Sequence, residues 1–174
     1  MIRLTWYGRI VLLGAMLGGG CASDPTEGYA TASPFPRGIS TVSVQIFENN
    51  TFDREIEFEL ADALIKQIEA RTPYKVTSPA RADTILTGRV RSIQRDQLSK
   101  SRLTGLSEEV VLSVTIDFQW RDQRTGRPLV QRESFSGHAL FVPSRPTSEQ
   151  IELGEFAVIQ RLARDIVTEM QADW

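Results

Sequence analysis

The sequence predicts an α+β domain in two layers: a four-stranded mixed sheet with two helices packed on one face. Three observations support this. Apolar and polar residues alternate along Glu109 to Trp120, a period of two that is typical of a strand. Two other segments repeat their apolar residues every three or four positions, as amphipathic helices do. The segment order is strand, helix, three strands, helix, so a right-handed crossover followed by hairpins builds one sheet.

The first half of the domain is predicted to be a strand and a helix. A half-buried strand is expected around Val42 to Ile46, and Glu48 to Thr51 then ends it in a capped turn. A helix follows from about Asp53 to Arg71, and its apolar stripe is expected to cover the sheet. The stripe consists of Ile56, Leu60, Ala61, Leu64, Ile65 and Ile68.

The remaining strands are read from alternation and turn residues. Tyr74 to Thr77 is a short extended piece, and Ala82 to Leu98 is a long strand whose buried side changes partway along. Thr125-Gly126 marks a hairpin turn, after which Leu129 to Leu140 forms an edge strand.

A last helix is expected from about Ser148 to Gln171. Thr147 and Gln150 fit the capping-box pattern at its start. Its expected buried face consists of Phe156, Ile159, Ala163, Ile166 and Met170.

The N-terminus is typical of a bacterial lipoprotein. Residues 1–20 combine a basic start, a short apolar run and three glycines, and the run is far below the roughly 20 residues that span a bilayer. Cys21, the only cysteine, follows directly and is the expected lipid attachment site. Residues 21–38 read as the acylated start and a flexible tether, and residues 39–174 as one domain. The alternative is an ordinary secretory leader with Cys21 incidental, because Gly18 occupies the position where lipoprotein signals usually carry leucine.

The amino-acid composition argues against several classes of function. The chain has 20 Lys and Arg against 22 Asp and Glu, so it lacks the basic excess of a nucleic-acid-binding domain. With Cys21 acylated, no thiol remains for a disulfide or a thiolate metal site, and His138 is the only histidine. No catalytic pattern is found, so a non-catalytic protein is expected, with no metal and no cofactor beyond the covalent lipid.

One basic series suggests ligand binding. It consists of Arg89, Arg91, Arg95, Lys100 and Arg102. The three arginines nearest its start are expected on the polar side of their strand, where guanidinium groups bind phosphates bidentately. The alternative is a solvated sheet face whose charges are partly paired.

Five stretches together resemble one family. They are Val44 to Phe52, Glu57 to Leu60, Ala63 to Ile65, Arg71 to Val76, and Ala82 to Gly88. In this order, and with the lipid-site cysteine, they resemble the lipopolysaccharide-assembly lipoproteins of the LptE family.

The resemblance implies a lipid-anchored protein on the periplasmic face of the outer membrane. Members of that family plug and help assemble the β-barrel translocon LptD, assist lipopolysaccharide delivery to the outer leaflet, and can bind lipopolysaccharide. The family fold, two helices on a four-stranded sheet, agrees with the pattern above. Two alternatives stay open: a generic periplasm-facing lipoprotein that scaffolds another envelope complex, and a tethered hydrolase.

Overall fold

Six strands and two helices form the domain in this computed structural model, which describes residues 33–100, 107–142 and 151–171. The elements are β1 (Thr41–Val44), β2 (Glu48–Asn49), α1 (Ile56–Arg71), β3 (Lys75–Val76), a 3-10 turn (Pro79–Arg81), β4 (Thr84–Lys100), β5 (Ser107–Asp122), β6 (Pro128–Phe141) and α2 (Ile151–Glu169). The predicted leader, Cys21, Arg102 and the capping-box residues Thr147 and Gln150 lie outside the described residues. The predicted domain boundaries stay a prediction.

The sheet is mixed, with the strand order β3-β1-β4-β5-β6. β1 is parallel to both β3 and β4, whereas β4, β5 and β6 form antiparallel pairs. The two-layer α+β class is therefore confirmed, but four strands was too few. Of the two additional strands, β3 lies within the short extended piece predicted at Tyr74 to Thr77, whereas β2 occupies the start of the predicted turn; each has only two residues, too short for a periodic pattern.

A one-residue excess separates β1 from β2, which both pair with β4. Val44 pairs with Leu86 and Glu48 pairs with Arg89, so four steps on one strand oppose three on the other. Such a bulge redirects a side chain. Here Phe47 is buried, and its ring lies over Gly88, where a Cβ atom would come within 2.4 Å of the ring.

The core lies between the sheet and the two helices. From α1, the predicted stripe residues Ile56, Leu60, Ala61, Leu64 and Ile68 are buried, whereas Ile65 is only partly buried. From β5, the alternating residues Leu112, Val114, Ile116, Phe118 and Trp120 are buried. Gly137 of β6 allows the close approach of α2, because a Cβ there would lie 2.6 Å from Leu162 Cγ. Within the described residues, neither helix is long and apolar enough to cross a bilayer.

The prediction that Phe156 is buried is wrong, since its side chain is 60% exposed. The buried stripe of α2 instead runs through Gly154 and Val158. Residues that are two positions apart in a helix point about 200° apart around its axis. Phe156, two positions from both Gly154 and Val158, therefore faces outward. The expected burial of Ile159, Ala163, Ile166 and Met170 is confirmed.

The chain enters the domain through an aromatic cluster. Phe35 packs edge-on against Tyr74 with ring centroids 5.6 Å apart, and Tyr74 lies 5.8 Å from Trp120. The Tyr74 hydroxyl donates to the Pro36 carbonyl at 3.4 Å. Burial raises the pKa of Tyr74 to about 12, so this hydroxyl stays protonated.

A carboxylate fixes the start of β1 to the start of β4. Asp83 Oδ2 accepts hydrogen bonds from the backbone N–H groups of Ser40 and Thr41, both at 3.0 Å, and from the Thr41 hydroxyl at 2.9 Å. These donors, the Ser40 N–H foremost, lower the pKa of Asp83 below its usual value. The buried Thr84 hydroxyl adds a bond to the Thr41 carbonyl at 3.1 Å.

Candidate functional site

The sheet face opposite the helices is polar. Across β5 and β6, side chains from neighbouring strands form hydrogen-bonded pairs. The pairs are Ser113 Oγ–His138 Nδ1 at 2.9 Å, Thr115 Oγ1–Ser136 Oγ at 3.0 Å, and Gln119 Nε2–Gln131 Oε1 at 3.2 Å. This open face, as we call it, follows from the alternation in β5, where every second residue points away from the core.

Two arginines of β4 share one carboxylate on the open face. Arg89 Nε lies 3.6 Å from Asp117 Oδ2, and Arg91 Nη1 lies 3.4 Å from Asp117 Oδ1. Asp117 Oδ1 also accepts the Ser134 backbone N–H at 2.9 Å, which holds the carboxylate in place. One negative charge therefore faces two positive ones, and both arginine side chains are about half exposed to solvent.

A shallow groove of about 270 Å³ lies beside this cluster. Its lining includes Glu48, Thr87, Arg89, Asp117, Gln119, Gln131, Arg132 and Glu133, so three carboxylates and two guanidinium groups border it. Guanidinium groups bind phosphate or carboxylate oxygens, while amides and carboxylates hydrogen-bond hydroxyl groups. The arrangement therefore suits a ligand that carries both anionic oxygens and hydroxyls, such as a phosphorylated sugar headgroup.

Arg95 does not belong to the open face, so the prediction that it lies beside Arg89 and Arg91 is wrong. The register of β4 against β5 shifts between Val90 and Ser92, and this bulge reverses which face later side chains occupy. Arg95 pairs with Leu112, a core position.

The Arg95 guanidinium instead joins the beginnings of the two helices. Arg95 Nη2 lies 3.1 Å from Asp53 Oδ1 and 2.9 Å from Glu155 Oε1. These contacts, led by the hydrogen bond to Asp53, raise the pKa of Arg95. Its donors are thus engaged within the protein.

The predicted basic series is therefore divided. Arg89 and Arg91 lie together on the open face, Arg95 lies on the helix side, Lys100 ends β4, and Arg102 lies outside the described residues. Lipid contact by the series stays a prediction.

Two features of the open face were not predicted from the sequence. The alternation in β5 placed Asp117 and Gln119 on the polar face, but it did not indicate that Asp117 would bind two arginines. Ser134 has a left-handed backbone (φ 54°) at a register shift in β6, and no sequence signal marks it.

Comparison with protein families gives a match over nearly the whole domain. Residues 39–173 match the family described as LptE: Lipopolysaccharide-assembly. The chain belongs to the LptE family. This confirms the resemblance in the sequence and assigns the chain to a non-enzymatic family that works in lipopolysaccharide assembly.

Solved structures share the fold of this LptE-family chain. The PelC L103M dodecamer from Paraburkholderia phytofirmans matches with a TM-score of 0.52 and 18% identity, covering 80% of this chain and 92% of that one. A minor lipoprotein from Acinetobacter baumannii gives 0.52 and 17%, covering 76% and 92%. The hypothetical protein CT253 from Chlamydia trachomatis gives 0.53 and 11%, covering 75% and 94%. At these identities the likeness shows the fold alone. No curated protein gave a significant match.

Proposed function

We propose that this chain is a non-catalytic outer-membrane lipoprotein that faces the periplasm. In this proposal it plugs and helps assemble an LptD-like β-barrel and assists delivery of lipopolysaccharide to the outer leaflet. The observation that carries the proposal is the family match over residues 39–173, which spans every strand and helix from β1 to α2.

The anchor of the proposed lipoprotein is Cys21. The sequence before it has the form of a lipoprotein signal, and the residue lies 14 positions before Phe35, where the chain joins the core. Each buried methylene group of an acyl chain contributes about 0.8 kcal/mol to membrane binding, so several chains on one cysteine give a durable anchor. The covalent lipid is the only non-protein group proposed.

The proposed lipopolysaccharide contact is the cluster of Arg89 and Arg91 on the open face. Both guanidinium groups are about half exposed and face one shared carboxylate, so each retains N–H donors for a phosphate. The adjacent groove supplies amide and carboxylate groups for sugar hydroxyls. Lys100 and Arg102, further along the sequence, remain candidates for the same contact.

Co-purification tests the partner. The full chain with an affinity tag is expressed in its own host, and outer membranes are solubilised in mild detergent. We expect a large β-barrel protein in near-stoichiometric yield, and we expect Cys21→Ser to reduce that yield because the chain loses its anchor. Recovery of wild-type protein without any barrel protein would refute the proposed partnership, and recovery with another envelope complex would favour the scaffold alternative.

Substitution of the open-face arginines tests the ligand contact. We expect Arg89→Ala/Arg91→Ala to weaken lipopolysaccharide binding about tenfold, since a hydrogen bond to a charged group contributes about 1.5–3 kcal/mol and solvent exposure reduces this. Binding is measured at fixed salt by titration of purified lipopolysaccharide.

Arg161→Ala/Arg164→Ala on α2 is the matched control, because it removes the same charge from another surface. Equal binding by the open-face variant and this control would show that Arg89 and Arg91 are solvated residues without a ligand role.

A further inference from the structure

Large apolar side chains are exposed around the beginnings of the two helices. Phe52 is fully exposed in the turn before α1, and Phe58 is 56% exposed on its first turns. Leu153 and Phe156 of α2 are about 60% exposed. A buried side chain of this size contributes about 1.5–3 kcal/mol, and none of these four gains that contribution in full within the chain.

These side chains lie at one end of the domain. Arg95 contacts both Asp53 and Glu155. Asp53 directly follows Phe52 in the sequence, and Glu155 directly precedes Phe156. Glu59, next to Phe58, interacts electrostatically with Glu155; the pKa of Glu59 is raised first by burial and then by that carboxylate. The first turns of α1 and α2 are therefore neighbours.

The same end is rich in carboxylates. We define the aromatic–acidic surface as Phe52, Phe58, Leu153 and Phe156 together with Asp53, Glu55, Glu57, Glu59, Glu152 and Glu155. Within the described residues, six carboxylates belong to this surface; Arg95 contacts two of them, and Arg54 is next to Asp53 in the sequence. Carboxylates near helix N-termini are stabilised by the helix dipole, which explains the acids. It does not explain the exposed aromatic side chains.

The backbone of the turn that carries Phe52 is fixed by hydrogen bonds on either side of it. The Asn49 amide donates to the Asp53 carbonyl at 2.6 Å and to Glu57 Oε2 at 2.7 Å. Asn49 Oδ1 accepts the Thr51 backbone N–H at 2.8 Å and its hydroxyl at 2.7 Å. Because the backbone of this turn is already ordered, little backbone entropy is lost when Phe52 binds a partner, and this favours binding.

We propose that the aromatic–acidic surface binds a protein partner that presents lysine or arginine around an apolar patch. Exposed apolar groups with a polar rim are typical of protein interfaces, and aromatic residues dominate their binding energy.

The negative charge of the surface favours a basic protein over two other possible partners, an anionic lipid surface and a second copy of this chain. The carboxylates would repel an anionic membrane surface or the phosphates of lipopolysaccharide. A symmetric contact between two copies would bring two acidic surfaces together, with the same repulsion. A basic protein surface is attracted to it.

This inference concerns the helix layer and is independent of the groove on the open face. The groove lies on the open face of the sheet, whereas the aromatic–acidic surface is formed by the first turns of the helices and the turn before α1, so each can be altered without the other. If the proposed barrel is the basic partner, both surfaces work in one complex; if another protein is, the inference stands and the co-purification above reports on the barrel.

Site-specific photo-crosslinking in the full, membrane-bound chain tests the proposal. p-Benzoylphenylalanine replaces Phe58 or Phe156 in separate variants, and replaces the exposed Arg161 of α2 as the control. We expect at least a fivefold higher yield of a protein adduct from the two phenylalanine positions. Mass spectrometry of the adduct is expected to place the crosslink within a stretch of the partner that carries net positive charge.

Charge reversal then tests the chemistry. Glu59→Lys/Glu152→Lys is expected to reduce the adduct at least fivefold, and Glu59→Gln/Glu152→Gln to reduce it less. Adducts with lipid only, adducts with a second copy of this chain, yields equal to those at Arg161, or yields unaffected by charge reversal would each overturn the proposal.

Discussion

Replacing Gly88 by valine is expected to lower the free energy of unfolding by about 3 kcal/mol. A Cβ atom at this position would lie 2.4 Å from Phe47 Cε2 and 2.5 Å from the Asp117 carbonyl oxygen. The Phe47 ring is buried and the carbonyl belongs to the neighbouring strand β5, so neither can move freely. Overpacking of this kind costs about 1–3 kcal/mol, sometimes more. Denaturant unfolding of the full chain in detergent measures the difference.

Two further variants separate the causes. Gly126→Ala is the control: Gly126 has a left-handed backbone (φ 69°) with open space around it, so it should cost only about 1 kcal/mol. Phe47→Ala/Gly88→Ala removes the ring but leaves the carbonyl contact, and its cost should exceed that of Phe47→Ala alone. If Gly88→Val is as stable as Gly126→Ala, neither the Phe47 ring nor the Asp117 carbonyl lies as close to position 88 as the structure places them.

Replacing Trp120 by alanine is expected to lower the free energy of unfolding by about 4 kcal/mol. Trp120 is fully buried at the end of β5, and its ring packs against Tyr74, which in turn supports Phe35 at the entry of the chain. Trp120 Nε1 has no hydrogen-bond partner within the described part of the chain. Trp120→Phe should therefore cost only about 1–2 kcal/mol, because it removes volume and no hydrogen bond.

Thermal or denaturant unfolding measures both variants against Phe58→Ala. Phe58 is mostly exposed, so its replacement should change the free energy of unfolding by no more than about 0.5 kcal/mol. If Trp120→Phe proves as damaging as Trp120→Ala, the indole N–H has a partner that stabilises the fold.

The sequence predicts regular elements well where burial is one-sided. β5 alternates over most of its length because one of its faces packs on the helices and the other carries polar pairs. Residues Ile56, Leu60, Leu64 and Ile68 of α1 share one face for the same reason, and the structure buries all four.

The misses have a common physical origin. Periodic patterns assume an unbroken register, and this sheet breaks its register beside Phe47, at Arg91 and near Ser134. A bulge is stabilised by contacts with distant strands. The sequence did indicate that the buried side of β4 changes partway along, and the register shift after Val90 confirms this, but it did not show that Arg95 follows the change. Phe156 was misplaced for a related reason: an apolar residue on an amphipathic helix suggests burial, and only the helix position against β6 shows that it is exposed.

Because of the bulge at Arg91, the arginines before and after it in β4 lie on opposite faces of the sheet. Upstream of it, Arg89 points outward to Asp117, and downstream Arg95 points inward to tie Asp53 to Glu155. If β4 kept all its residues but paired with β5 without this bulge, every later side chain would turn over, leaving the two helix starts without their shared cation and adding a third arginine to the outer surface. In this strand, the pairing register determines on which face each charge lies, just as the composition determines how many charges there are.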